Sequence, residues 1–384
     1  MPTTLNEWFC MKGERSSFMP QLPDDAQLVF CHKEQIEDEI LIDIEKRFAT
    51  KKPIKMIILG DWGVGKTHAT YHIKWWLNQN RADFPAFPVL IEIGDIDKRS
   101  KFNEIVRPLL ERLGLEFLVD LVHAYRGIEP NVANSLKERG ITSAVAEAFN
   151  KFLLSSPGQP PVQLVSDTFE YLKGRKIAGA ALGLGQPIEE SQHFVDVLTA
   201  VGEMYRRVNG ERIVFIADEA ARLESVEADD ATKSHWVNAN KLIFGDGNQS
   251  FGFIYTISGK QKKDLPLAIW DPQLQNRLGA SVFTLKTLAV PDVNTYLTGV
   301  CNEFIDWDKA QQLVADGTIP PGTYDRSTYP FTPDARANFV DFFDRSQQDS
   351  KPRDISQWID DLAFLALKKG KRVISKEILD LKGM

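Results

Sequence analysis

The chain has 384 residues, 43% hydrophobic and 26% charged, a globular composition large enough for two lobes, and no apolar run approaches the roughly 18 residues of a membrane-spanning helix. A formal net charge of −7 excludes a chain that is basic overall, so contact with nucleic acid would have to come from a local patch. The three cysteines, Cys10, Cys31 and Cys301, fit no zinc or disulfide spacing, and Met1-Pro2-Thr3-Thr4-Leu5 lacks the form of a secretion signal, so a reducing cytoplasm is expected.

In chain order, residues 1–26 carry Pro20, Pro23 and little periodicity, and are expected to form an irregular arm. Ile36, Ile40, Ile44 and Phe48 then recur at helical spacing within 33–49. The apolar run 54–59 reads as a buried strand, with a helix at about 67–80, a second strand at 88–93 and a helix at about 100–113 after it. Residues 115–210 read as mostly helical without a strand, split by the Pro- and Gly-rich stretch 155–161 and ending in a helix at about 190–207. A stretch that long exceeds what one crossover needs, so an inserted helical element is expected there. The strand 212–217 runs into Asp218 and Glu219, and further strands follow at 251–258 and 281–285. Helices are expected at 290–305, 333–345, 354–369 and 375–382.

Strands alternating with helices, followed by a purely helical tail, predict an α/β protein. Its parallel sheet is of the P-loop NTPase kind with a helical insertion, followed by a small all-α lid domain. The expected boundaries are an arm at 1–26, a nucleotide-binding α/β domain at 27–288 with the insertion at about 115–210, and a lid at 289–384.

The nucleotide assignment rests on Gly60-Asp61-Trp62-Gly63-Val64-Gly65-Lys66-Thr67, directly after the first strand. Glycines at that spacing let the backbone wrap so that N–H groups face phosphates; Lys66 reaches the β/γ-phosphates and the Thr67 hydroxyl holds Mg²⁺. The positive end of the next helix adds to the anion site. Asp218 and Glu219 stand where a buried strand ends, the place where open α/β sheets bind ligands. Asp218 is expected to hold the metal's water shell and Glu219 to polarise the attacking water. Guanine selection would need Asn-Lys-x-Asp, but Asn240-Lys241 continues as Leu242-Ile243, so the expected cofactors are ATP and Mg²⁺.

This order of parts resembles the AAA+ ATPases, in particular the branch of origin-recognition initiators and Tn7-type transposition regulators. The resemblance implies nucleotide contacts from Gly60, Gly63, Val64, Gly65, Lys66, Thr67 and the adjoining His68, and a sensing role for Ser258 at the end of the next strand. It makes Arg277, in Asp271-Pro272-Gln273-Leu274-Gln275-Asn276-Arg277, an arginine finger that reaches a neighbouring subunit's ATP. Arg353, in Lys351-Pro352-Arg353, becomes the lid arginine, and Val29-Phe30-Cys31-His32 the segment lining the adenine pocket. Initiators of this branch carry a winged-helix domain after the lid; none is read here, so duplex reading by a recognition helix is not expected. Gly65-Lys66-Thr67-His68, Tyr171-Leu172-Lys173-Gly174 and Tyr329-Pro330-Phe331-Thr332 also resemble patterns in ATPases of BREX-type phage-defence systems.

The expected function is Mg-ATP hydrolysis by a regulatory ATPase that assembles with itself as a ring or filament. It would couple nucleotide state to a partner effector protein on duplex DNA, in a defence or mobile-element system. Lys260, Lys262 and Lys263, with Lys233, His235, Trp236 and Lys241 in the preceding loop, are the candidate phosphate contacts. The alternative is a nucleotide-dependent switch that activates a separate effector without binding DNA. A protein-remodelling ring would want an aromatic-hydrophobic-glycine pore loop after the second strand, and Ile93-Gly94-Asp95-Ile96 does not supply one.

Overall fold

The computed structural model describes residues 4–93, 102–175, 182–184, 187–219, 230–245, 247–259, 282–345 and 350–384. By packing, the chain separates into two units: Glu34–Gly60 with Ala69–Thr284, and Met1–Lys33 with Asp61–His68 and Leu285–Met384.

The first unit is built on a five-stranded sheet. Its strands are β1 (Lys55–Gly60), β2 (Ala86–Glu92), β3 (Arg212–Asp218), β4 (Phe251–Ser258) and β5 (Val282–Leu285), in the order β2-β3-β4-β1-β5. β1 pairs with β4, β4 with β3 and β3 with β2, all in parallel. The apolar runs of β1, β3 and β4 are buried almost throughout, as strands covered on both faces must be. β2 tolerates Pro88 because it lies at the edge of the sheet among the described residues, where one row of its backbone donors has no described strand to serve.

The expected helix over 33–49 is two elements. A π-helix spans Glu34–Leu41, and the α-helix proper starts at Ile42. Ile36, Ile40 and Ile44 are buried nonetheless, so the apolar stripe outlasts the change of winding. The insertion contains only helices among its described residues. After α1 (Leu5–Phe9), α2 (Ile42–Ala49), α3 (Lys66–Gln79) and α4 (Asn103–Leu113) come α5 (Leu115–Ile128), α6 (Val132–Glu138), α7 (Ser143–Lys151), α8 (Gln163–Leu172) and α9 (Ser191–Asn209).

This insertion shares one core with the sheet. Phe87 of β2, Phe117 of α5 and Tyr205 of α9 stack with ring centroids 5.3–6.1 Å apart. A charged network ties the helix ends: Glu203 pairs with Arg139 at 2.7 Å and Arg206 at 2.8 Å, and Glu129 with Arg207 at 2.7 Å. Lys173, from the Tyr171-Leu172-Lys173-Gly174 pattern, is buried between Glu111 and Glu170 at 3.0 and 2.6 Å, so it braces α8 against α4.

Lys233, His235, Trp236 and Lys241, expected in a loop, lie on the helix α10 (Asp230–Phe244). Trp236 is in the core, edge-on to Phe102 at 5.3 Å, and cannot meet a nucleic-acid backbone. Burying its indole gains more than exposing it, which removes Trp236 from the expected phosphate contacts, whereas Lys233 on the same helix is exposed.

The second unit packs helices around its own core: α11 (Val290–Phe304), α12 (Trp307–Ala315), α13 (Pro333–Arg345), α14 (Pro352–Lys368) and α15 (Lys376–Asp380). α12 is additional to the expected helices. Asp306 caps it by accepting the Lys309 N–H at 3.1 Å. The N-terminal stretch buries Phe9, Cys10, Met11 and Phe18 in this core, and Asp306 N donates to the Cys10 carbonyl at 2.7 Å. Tyr329 and Phe331 are core residues of the same unit.

Candidate functional site

In the sheet unit, β3 delivers Asp218, which is only 1% exposed. Its Oδ1 accepts a hydrogen bond from the Thr256 hydroxyl on the neighbouring strand β4. The same hydroxyl accepts the backbone N–H of Glu219 at 3.0 Å. Thr256 thus fixes both the carboxylate and the turn that follows it. Glu219 has φ +58°, the left-handed region that a residue with a Cβ seldom enters. Extended backbone would put Glu219 on the face opposite Asp218; the left-handed turn breaks that alternation.

Asp218 Oδ2 is fully buried and has no hydrogen-bond partner among the described residues. A buried carboxylate oxygen left so is costly unless a cation meets it. The donor set is hard oxygen, as Mg²⁺ prefers, so the residues fit this ion.

Glu92 stands opposite Asp218 in the β2–β3 register. Burial, and then the Glu92 and Asp218 carboxylates, push the phenol of Tyr71 on α3 above its ordinary value, while Arg112 pulls the other way. Tyr71, Glu92 and Thr256 were therefore missed by reading motifs alone. Thr256 had a legible signal, because two residues before Ser258 on one strand means the same face. Ser258 ends β4 opposite Gly60 in the register, and the Gly259 N–H donates to the Gly60 carbonyl at 3.1 Å. The hydroxyl that touches Asp218 belongs to Thr256.

The other unit holds Asp61–His68, the segment expected to be the phosphate loop. Gly63 and Gly65 adopt φ +83° and +102°, the left-handed region that glycine enters without a Cβ clash, so the chain can turn tightly here. Val64 is buried and anchors the loop. The Lys66 ammonium, nearly buried, donates to the Asp61 carbonyl at 2.9 Å. Lys66 and Thr67 open α3, whose 14 residues direct a positive end at the loop.

The segment holding Val29, Phe30, Cys31 and His32 lies against this loop. His32 Nε2 is 3.0 Å from the Val64 carbonyl, and His68 Nε2 hydrogen-bonds the Leu28 carbonyl. The Phe30 ring faces His68 at 6.3 Å and Phe304 at 5.3 Å. Burial pushes the Cys31 thiol up to about 12, so it stays protonated at neutral pH. His72 stacks near Trp75 at 5.4 Å, and no metal-binding group of histidine, cysteine or carboxylate side chains occurs among the described residues.

The start of α14 also meets the phosphate loop. Lys351 pairs with Asp61 at 3.0 Å, the Arg353 N–H donates to the Gly63 carbonyl at 3.4 Å, and the Arg353 guanidinium lies 4.1 Å from the centre of the Trp62 ring. Arg277, Lys260, Lys262 and Lys263 lie outside the described residues.

No protein-family model matches the chain, and no curated protein does. Solved structures do. The ORC2 protein of Aeropyrum pernix in its ADP form aligns with a TM-score of 0.54 at 12% identity, over 97% of this chain and 72% of that one. The same protein in ADPNP–ADP complexes gives 0.50 at 12% identity, over 96% and 70%. The Aeropyrum pernix ORC1 protein in complex with DNA gives 0.46 at 12% identity, over 93% of this chain and 66% of that one. The chain therefore spans about two thirds of the length of these proteins. Identity this low establishes the fold alone, a parallel α/β fold with a helical C-terminal part, like that of the ORC2 protein.

Proposed function

We propose that the chain binds and hydrolyses ATP with Mg²⁺. The observation that carries this reading is the buried Asp218 Oδ2, without a hydrogen-bond partner among the described residues, on a strand of the same sheet whose β1 runs straight into the expected phosphate loop. Thr67 and Asp218 would hold Mg²⁺, which would neutralise charge on the phosphates. Lys66 would exchange its bond to the Asp61 carbonyl for a phosphate oxygen. Glu219 would take the proton of the attacking water onto a carboxylate oxygen. Val29 and Phe30, beside His68, would line the adenine site, and Ser258 would meet the γ-phosphate side. The ORC2 protein's structures carry ADP and ADPNP, which supports the nucleotide reading.

Two substitutions test it. Glu219→Gln should retain ATP binding and lose turnover, whereas Lys66→Ala should lose binding, read by equilibrium titration and phosphate release. Normal turnover by the Glu219→Gln protein would refute the assignment of the base.

The wider reading is an oligomeric regulatory ATPase in the cytoplasm, working with a partner effector on duplex DNA in a defence or mobile-element system. Arg277 would complete a neighbour's site. The boundaries 1–26, 27–288 and 289–384 are part of this reading. One observation favours the alternative, a switch that activates an effector without DNA: Trp236, offered as a phosphate contact, is a core residue. Titration of duplex DNA against salt separates the two, because phosphate contacts make affinity fall steeply with salt.

A further inference from the structure

Among the described residues, Trp62 is the most exposed large apolar side chain, at 58%, and it sits inside the phosphate loop. An indole in that place has no core to fill. Its face is taken by the Arg353 guanidinium, 4.1 Å from the ring centre. The residue before Trp62 is engaged as well. Asp61 accepts the Trp62 N–H on Oδ1 at 2.8 Å and pairs with Lys351 through Oδ2 at 3.0 Å. A carboxylate in a phosphate loop repels phosphate, and the Lys351 ammonium offsets that charge. Two consecutive loop residues thus grip two cations at the start of α14. The backbone closes the join: Arg353 N–H donates to the Gly63 carbonyl, and a Cβ added at Gly63 would stand 3.4 Å from the Arg353 Cβ.

We propose that Trp62 is a positioning residue for Arg353, stacking on the guanidinium so that it is held at the phosphate loop and favours a triphosphate over a diphosphate. This rests on the nucleotide reading above. Arginine is a long chain with much rotamer freedom, and a free one would lose that freedom on meeting the γ-phosphate. A stacked guanidinium has already given up most of it. The Lys351–Asp61 pair holds the helix start, and the indole holds the side chain.

The test is equilibrium binding of ADP and of a non-hydrolysable ATP analogue to the wild type, Trp62→Phe, Trp62→Leu, Arg353→Ala and the double variant Trp62→Leu/Arg353→Ala. Trp62→Leu should lose about 3- to 10-fold of the preference for the triphosphate while ADP affinity holds. Trp62→Phe, which keeps a ring face, should retain most of that preference. The double variant should lose no more than Arg353→Ala alone. The proposal is overturned if Trp62→Leu leaves the preference intact, weakens both nucleotides alike, or has an effect that multiplies with that of Arg353→Ala. A wild type that binds neither nucleotide would sink the nucleotide reading and the proposal with it, a result distinct from wild-type binding with an indifferent Trp62.

Discussion

Thr256 carries more of the carboxylate edge than its side chain's size suggests. One hydroxyl donates to Asp218 and accepts from the Glu219 N–H, and Thr256 is fully buried. Thr256→Val keeps the shape and the β-branch and removes both bonds. A lost bond to a charged partner is worth about 1.5–3 kcal/mol, so turnover should fall by at least ~10-fold. Thr256→Ser should recover most of it. If the valine and serine variants turn over alike, the hydroxyl has no part in holding Glu219. Ser258 shares the strand face with Thr256, and comparing Ser258→Ala with Thr256→Val under single-turnover conditions would assign the sensing role to one of them.

At the scale of elements, burial of β3 and the seat of the N-terminal stretch can both be tested. Phe215 is fully buried on β3 and meets Phe251 edge-on at 5.4 Å. Phe215→Ala should cost about 3–5 kcal/mol, read from the urea midpoint, and would also disturb the strand that carries Asp218. In the helical unit, Asp360 of α14 accepts the Phe18 N–H at 2.7 Å and the Ser17 hydroxyl at 2.5 Å. Burial nevertheless pushes its carboxyl above the ordinary value. A raised folded value favours the protonated form in the fold. The stability it contributes therefore grows as pH falls through that value toward about 3.9, its unfolded one. Asp360→Asn, always neutral, should gain on the wild type in urea midpoint as pH rises from about 4 to about 7. Parallel pH profiles for the two proteins would show that Asp360 is not the source of the slope.

At the scale of the whole molecule, the proposed trans arginine makes a concentration-dependent enzyme. An arginine supplied by a neighbour can be worth about 10³–10⁵ in rate, so specific activity should climb with protein concentration and Arg277→Ala should flatten the climb at a low level. A flat profile in the wild type would argue for a subunit that acts alone. Addition of duplex DNA to the same assay tests the DNA-linked reading directly: stimulation that disappears with rising salt supports it, and indifference supports the switch. The described part of the insertion bears on the choice only through its form. It is a helical body whose core is continuous with the sheet's, not a separate module on a tether.

The sequence by itself determined the glycine turn after the first strand, the buried strands and the placing of Asp218 and Glu219 at a strand's end, because each is a local pattern. Glycines at fixed spacing permit φ +83° and +102°, and an unbroken apolar run cannot remain at a surface. Helical periodicity likewise announced the stripe Ile36, Ile40 and Ile44, although not the π-winding, which leaves that stripe unchanged. Trp236 was misread because a tryptophan among charged residues has the same local signature whether it faces water or core. Only the packing against Phe102 decided it. Thr256, Glu92 and Trp62 gained their places through strand register and the meeting of distant segments. Asp218 meets Glu92 across a parallel pair far apart in the chain, and Trp62 meets Arg353 from the other end of the protein. Such contacts depend on which strands pair and which helix end docks on a loop, and burial across the whole fold fixes both.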